Sequence, residues 1–158
     1  MAERPTPWID TTVEQLHCNC TSLRSAARTL TSVYDEVLRP SGIRVTQFTI
    51  LARLAAIGET RVNELAEKLA MDRTTLGRNL RPLERDELVQ IRVGEDRRER
   101  LIDLSPKGRR VLQTAMPLWE SIHDRFERQF GKRRAKDLRE VLADVVTVGQ
   151  ALYVEQAA

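Results

Sequence analysis

Aromatic side chains are scarce in this chain, only 4% of its residues. A surface that stacks the bases of single-stranded nucleic acid needs exposed rings, so that class of binder is disfavoured. No apolar run approaches the roughly 20 residues of a membrane span. Residues 1–12 (MAERPTPWIDTT) lack the apolar stretch of a signal peptide. A cytoplasmic protein without membrane contact is therefore expected. Cysteine is limited to Cys18 and Cys20, too few for a secreted disulfide framework. There is no Gly-rich phosphate loop, no nucleophile–base motif and no HExxH. Neither an enzyme nor a cofactor is expected.

What is present is charge, and its position matters more than its sum. The 158 residues carry a formal net charge of +3. Residues 73–110 hold 11 Lys/Arg against 7 Asp/Glu, a balance of +4, and the rest of the chain holds a balance of −1. A localised positive excess suits a polyanion-binding surface. Arginine-rich solvated faces give the same count, so charge alone does not decide.

The patterning gives an element order. Residues 1–9, with Pro5 and Pro7, read as a loose arm. Thr12-Val13-Glu14-Gln15 fits a capping box, opening a helix that runs to about Leu38. Its apolar positions, Leu16, Cys20, Leu23, Ala27, Leu30, Tyr34 and Val37, alternate fours and threes like a heptad seam. Pro40 and Gly42 end it. Thr46 is the expected cap of a second helix to about Ala56, closed by Gly58. Asn63 is the expected cap of a short helix to Leu69, and Asp72 of a helix from Arg73 to about Glu87. With only Ala70, Met71 and Asp72 between them, these two read as a helix-turn-helix. Gly77 and Pro82 predict that the second of the pair is curved or broken near its middle.

Residues 88–93 alternate, and residues 100–104 place Ile102 and Leu104 together, so a two-stranded hairpin with the polar loop Gly94–Glu99 is expected. Ser105 caps the next helix, with Pro106 at its first position. That helix runs to about Phe130, bent at Pro117, and Gly131 breaks it. A last helix carries Leu138, Val141, Val145, Val148 and Leu152 at alternating threes and fours. Lys132, Arg133, Arg134, Lys136 and Arg139 crowd its start, where cations are unfavourable, and read as a solvated face or a non-specific phosphate contact. The fold expected is mainly α with a small β-hairpin wing. Residues 1–38 form an arm and dimerisation helix, 39–105 the winged helix-turn-helix, and 106–158 the C-terminal dimerisation helices. Apolar seams at both chain ends, with little core to cover them, predict a homodimer.

In this order and at these spacings the sequence resembles the multiple-antibiotic-resistance regulator (MarR) family. The resemblance covers roughly Leu16 to Leu152. It rests on Asn63-Glu64-Leu65-Ala66 before the turn, Leu83-Glu84-Arg85-Asp86-Glu87-Leu88-Val89 after it, Asp96-Arg97-Arg98 in the wing, and Leu104-Ser105-Pro106-Lys107-Gly108 beyond. It implies dimeric repressors or activators of pseudo-palindromic duplex DNA, whose affinity changes when an effector binds or a cysteine is oxidised.

In a helix lying in the major groove, first-turn residues reach base edges. Arg73, Thr74 and Thr75, then Arg78 and Asn79, are the candidate readers. Arg suits guanine, Asn adenine, and Thr the thymine methyl. Arg97, Arg98 and Arg100 flank the wing loop, and arginine suits the narrow minor groove. The family pattern makes Arg98 the inserted residue, with Asp96 expected to hold it by a charge-assisted bond.

Cys20 reads either as a small buried hydrophobe at the seam or as a redox-sensing thiol. Cys20 and Tyr34 are similar in spacing to the reactive cysteine and hydrogen-bonding tyrosine of the family's organic-hydroperoxide-sensing branch. Positions that carry further tyrosines there hold Arg24 and Val45 here. Arg24 can lower a thiol pKa by its charge, or pair with the carboxylate of a small aromatic or phenolic ligand. Helical positions two apart point about 200° apart, so Cys18 and Cys20 share no metal or easy disulfide if both are helical. If they are not, His17-Cys18-Asn19-Cys20 offers soft-metal ligands. From a different class, a winged-helix scaffold for protein assembly remains an alternative, though it needs no arginine wing.

Overall fold

The computed structural model describes residues 18–157. The N-terminal arm, the Thr12–Gln15 capping box, Leu16 and His17 lie outside the described residues. The chain divides into two units, Met1–Val33 and Tyr34–Ala158. Helix α1 spans Asn19–Leu38 and gives way to a 3-10 turn over Arg39–Ser41, whose C-cap Gly42 is left-handed at φ 77°. Then follow α2 (Val45–Ile57), β1 (Thr60–Arg61), α3 (Val62–Lys68), α4 (Arg73–Arg85), β2 (Val89–Val93), β3 (Arg100–Leu104), α5 (Pro106–Phe130) and α6 (Lys132–Ala157). This is the mainly helical, winged helix-turn-helix architecture that the patterning predicts.

The sheet departs from expectation. It has three strands, ordered β1-β3-β2 and antiparallel, not two. Thr60 and Arg61 pair with Ile102 and Leu101, while Val89 to Val93 pair with Leu104 to Arg100. Two residues carry no readable alternation, so β1 exists only through its pairing with the hairpin.

Two helix starts also differ. Helix α2 begins one residue before Thr46, with Arg44 at the cap position; the Arg44 N–H donates to Gln47 Oε1 (2.9 Å) and the Val45 N–H to Asp35 Oδ1 (2.7 Å). A carboxylate from the end of α1 thus satisfies an orphan donor that a local cap would otherwise take. Helix α3 begins before Asn63, directly after β1, with Arg61 at the cap position.

Helix α4 continues unbroken through Pro82. The proline cannot donate to the carbonyl of Arg78. Leu76, Leu80 and Leu83, spaced four and three apart, are all buried and pin the helix on both sides of the missing bond. Helix α5 likewise runs through Pro117.

The core is aliphatic. Leu38, Ile50, Leu51, Leu54, Leu65, Leu76, Leu83 and Ile102 are fully buried, and Leu112 and Ala115 of α5 join them. The joint between wing and α5 is tight. The Ser105 hydroxyl donates to the Glu87 carbonyl (2.6 Å) and accepts from the Gly108 N–H (2.8 Å), and the Ser105 N–H donates to the Leu88 carbonyl (3.1 Å). A Cβ on Gly108 would lie 2.0 Å from that Leu88 oxygen. The Ser-Pro-Lys-Gly stretch therefore has a steric cause.

Most of the cations at the start of α6 have partners. Arg139 reaches Glu127 of α5 (2.8 Å), Lys136 pairs with Glu140 (3.8 Å) and Arg133 approaches Asp137 (4.0 Å). Arg134 lies over the Phe130 ring, 4.4 Å from its centroid. Beyond them, Val141, Val145, Val148 and Leu152 stand 43–58% exposed along α6.

Candidate nucleic-acid interface

The turn between α3 and α4 is closed by its backbone. The Met71 N–H donates to the Ala66 carbonyl (2.9 Å), and Ala70 adopts a left-handed φ of 51°. Asp72 then caps α4. It accepts from the Thr75 N–H (2.8 Å) and from the Thr75 hydroxyl (2.5 Å). The Thr75 hydroxyl bond, more than any other cause, holds the Asp72 carboxyl below the ordinary aspartate range.

These bonds sort the expected readers. The Thr75 hydroxyl is committed to the cap. Asn79 is half-buried, and its amide points to the Met71 sulfur at 3.8 Å. Arg73, Thr74 and Arg78 remain exposed on α4, and Arg81, one turn past Arg78, extends that exposed face.

In the wing, Asp96 acts on the backbone rather than on a guanidinium. Its Oδ1 accepts from the Arg98 N–H (2.9 Å), and its carbonyl accepts from the Glu99 N–H (2.9 Å). The expected side-chain clamp on Arg98 is thus a turn clamp, which leaves the Arg98 guanidinium exposed. Arg100 folds back onto the carbonyls of Arg97 (3.1 Å) and Glu99 (3.3 Å). Arg97 is exposed at the loop tip.

A cleft of about 330 Å³ joins the two elements, lined by Arg61, Val62, Asn63, Arg73, Arg98, Glu99 and Arg100. It brings Arg73, in the first turn of α4, to one place with Arg98 and Arg100 of the wing, while Arg97 stays outside the lining. Arg61 and Asn63 are additions. Their signal is invisible in the sequence because it depends on the β1–β3 pairing. Arg61 is itself held, its Nε 2.8 Å from Glu99 Oε1 and its Nη1 3.1 Å from Glu64 Oε1. Next to the cleft the surface turns acidic, with Glu59, Glu64, Glu95 and Glu99 around Arg61 and Arg92. Arg92 forks onto Glu59 at 2.8 and 2.6 Å.

The candidate effector residues fall in different units. Cys18 and Cys20 are both exposed and unbridged, and Arg24 is exposed on α1. A hydrogen bond with the Thr21 side chain is the main cause lowering the Cys18 thiol pKa. Among the described residues no cluster of His, Cys, Asp and Glu could hold a metal ion. Tyr34, in the second unit, is half-buried, and burial first, then the charge of Glu127, pushes its phenol pKa up. Glu127 also lies 3.4 Å from His123, which stacks on Trp119 at 4.6 Å, which in turn stacks on Phe48 at 5.5 Å. No described helix is long and apolar enough to cross a membrane.

Comparison with known proteins agrees with this geometry. The MarR family's sequence pattern matches residues 43–99, from before α2 to the end of the wing loop. An uncharacterized HTH-type transcriptional regulator of Bacillus subtilis (strain 168), YwoH, is 31% identical over 86 residues. That match takes in 54% of this chain, and the chain spans 63% of that relative's length. The M. tuberculosis transcriptional regulator MosR in complex with DNA superimposes with a TM-score of 0.79 at 38% identity, covering 85% of this chain and 98% of that one. A second structure of MosR gives 0.69 at 37%, covering 87% and 97%. With fold, wing and helix-turn-helix in agreement along nearly the whole of MosR, the chain belongs to the MarR family of transcriptional regulators.

Proposed function

We propose that this protein is a sequence-specific, duplex-DNA-binding transcriptional regulator that acts as a homodimer in the cytoplasm. The observation that carries the reading is the cleft in which Arg73 of α4 meets Arg98 and Arg100 of the wing. The similarity to MosR, solved in complex with DNA, supports it. In this reading α4 enters the major groove by its first turn. Arg73, Thr74 and Arg78 meet base edges or phosphates there, while Thr75 and Asn79 mainly set the pose of the helix. Arg98 enters the minor groove, backed by Arg97 and Arg100, with Asp96 shaping the loop.

The dimer follows from the apolar face of α6, since Val141, Val145, Val148 and Leu152 stand exposed in one protomer. Two reading heads related by a two-fold axis require a pseudo-palindromic operator. The working division is residues 1–38 and 106–158 for dimerisation and 39–105 for DNA. Control is proposed to enter through α1, by oxidation of Cys20 or by a small aromatic ligand for which Arg24 offers a carboxylate partner; Tyr34, in the second unit, is a separate effector candidate. Cys20 is exposed in the single protomer, and oxidation of a thiol on the proposed dimer helix would put a polar group there.

The test is a mobility shift of the full chain at about 50 and about 200 mM salt, with footprinting beside its own gene. The reading expects a protected two-fold site and affinity that falls steeply with salt. Absence of binding at the lower salt would sink it.

A further inference from the structure

The Arg61–Glu99 ion pair ties β1 to the wing loop. Arg61 belongs to β1 and lies 55% exposed, while Glu99 closes the wing loop at 32% exposed. The Glu99 side chain lies across the hairpin over Gly94, where an added Cβ would stand 3.0 Å from Glu99 Cβ. A side chain at position 94 would crowd Glu99, its Cβ standing 3.1 Å from Glu99 Oε2 as well. Glu64 fixes the other side of the guanidinium at 3.1 Å and is itself anchored by the Thr60 hydroxyl at 2.8 Å. Arg61 thus stands ready at the rim of a cleft lined by three further arginines, Arg73, Arg98 and Arg100, and the sole acid on that lining is Glu99.

Four guanidiniums and one carboxylate around one cleft have a specific meaning for a polyanion. We propose that this cleft seats one backbone phosphodiester between the groove read by α4 and the groove entered by the wing, and that Glu99 is its placeholder in the free protein. The inference rests on the duplex-binding reading above and names the contact within it. When the duplex docks, the phosphate replaces the Glu99 carboxylate on Arg61. The exchange costs little, because a solvent-exposed ion pair is weak and the guanidinium fork fits a phosphate equally well. It also gives the wing two states, tied to β1 when free and tied to DNA when bound. Arg61 then acts as a positioning and phosphate-binding residue, uniform across sequences because phosphates carry no base information.

The experiment measures the full chain on two probes, a mixed-sequence duplex and one enriched from a random-sequence library, over a salt series. Arg61→Gln should weaken binding to both probes by the same factor, about tenfold, and lower the salt slope by about one per protomer. Glu99→Gln, nearly isosteric, should tighten binding several-fold. Glu95→Gln, a wing carboxylate off this cleft, should have a smaller effect. The decisive arm is Arg61→Gln/Glu99→Gln, which should bind like Arg61→Gln alone, because the carboxylate acts through Arg61. If Glu99→Gln and Glu95→Gln tighten binding equally, and the gain persists without Arg61, only bulk charge is at work and the placeholder is refuted. Wild-type binding with Arg61→Gln unchanged overturns this inference and leaves the regulator reading standing. A wild type that binds neither probe overturns the regulator reading itself, and the inference with it.

Discussion

Replacing Gly108 with alanine places one methyl group against backbone that cannot turn away. The new Cβ would sit 2.0 Å from the Leu88 carbonyl oxygen and 3.0 Å from Leu104 Cδ1. A carbon bound to such an oxygen by no more than a weak contact stays about 3.3 Å away or more, so α5 and β2 must part by roughly 1.3 Å. That displacement stretches the 3.1 Å bond from the Ser105 N–H to the same oxygen. Overpacking strain of this kind costs about 1–3 kcal/mol, and a lost backbone hydrogen bond about 1 more. The expected total is about 2–4 kcal/mol, which for a chain of this size lowers Tm by roughly 5–15 °C. Gly77→Ala is the control: nothing lies within 4 Å of its Cβ, and it sits inside α4. Relief of backbone entropy there should stabilise by about 0.5–1 kcal/mol. Both variants are unfolded in urea at one protomer concentration, because dimerisation couples stability to concentration. A Gly108→Ala midpoint equal to wild type would refute the account of the wing–α5 joint.

Asp72→Ala should destabilise the protein at neutral pH, and Asp72→Asn, which keeps a capping oxygen, should lose less. The folded-state pKa of Asp72 is depressed, so its contribution is present above the unfolded value and disappears as pH falls through the folded one. The gap between melts of wild type and Asp72→Ala should therefore narrow in acid, below the ordinary aspartate range, towards the smaller contribution of a neutral cap, and a gap that stays constant into acid would contradict a charged cap. Val145→Asp puts a charge on the exposed apolar face of α6. Sedimentation should find a monomer with its helical circular dichroism retained, and a persistent dimer would move the interface elsewhere. For the thiols, DNA affinity after mild peroxide should fall in wild type and Cys18→Ser and hold in Cys20→Ser. Loss of sensitivity only in Cys18→Ser would transfer the role to the other exposed thiol, whose acidity Thr21 raises.

What was legible in the sequence was what is local. Asp72 and Ser105-Pro106 cap helices within three residues of themselves, and Gly131 ends α5 by its own left-handed φ of 97°. The hairpin was readable because residues 88–93 alternate and Ile102 and Leu104 fall together, and β2 does pair antiparallel with β3. The failures are tertiary. Helix α2 takes a cap from Asp35, ten residues away, so Thr46 is not needed at the cap. Strand β1 is two residues long and is made by its partner, which hid both the third strand and Arg61. Pro82 carries a real local cost, but buried leucines at positions 76, 80 and 83 override it. Within the interface, the residue types were readable and their commitments were not. Thr75 and Asn79 look like readers until their hydrogen bonds to Asp72 and Met71 are placed.

The central claim is that α4 and the wing read one duplex by different means, and Arg98→Ala beside Arg78→Ala tests it most directly. Affinities are measured for a footprinted operator, for single-base variants of it and for a mixed-sequence duplex, across salt. Arg98→Ala should weaken all of them by roughly 1–3 kcal/mol and lower the salt slope by about one per protomer. Arg78→Ala should instead flatten the differences among the operator variants. Unchanged affinity of Arg98→Ala at physiological salt would contradict the account.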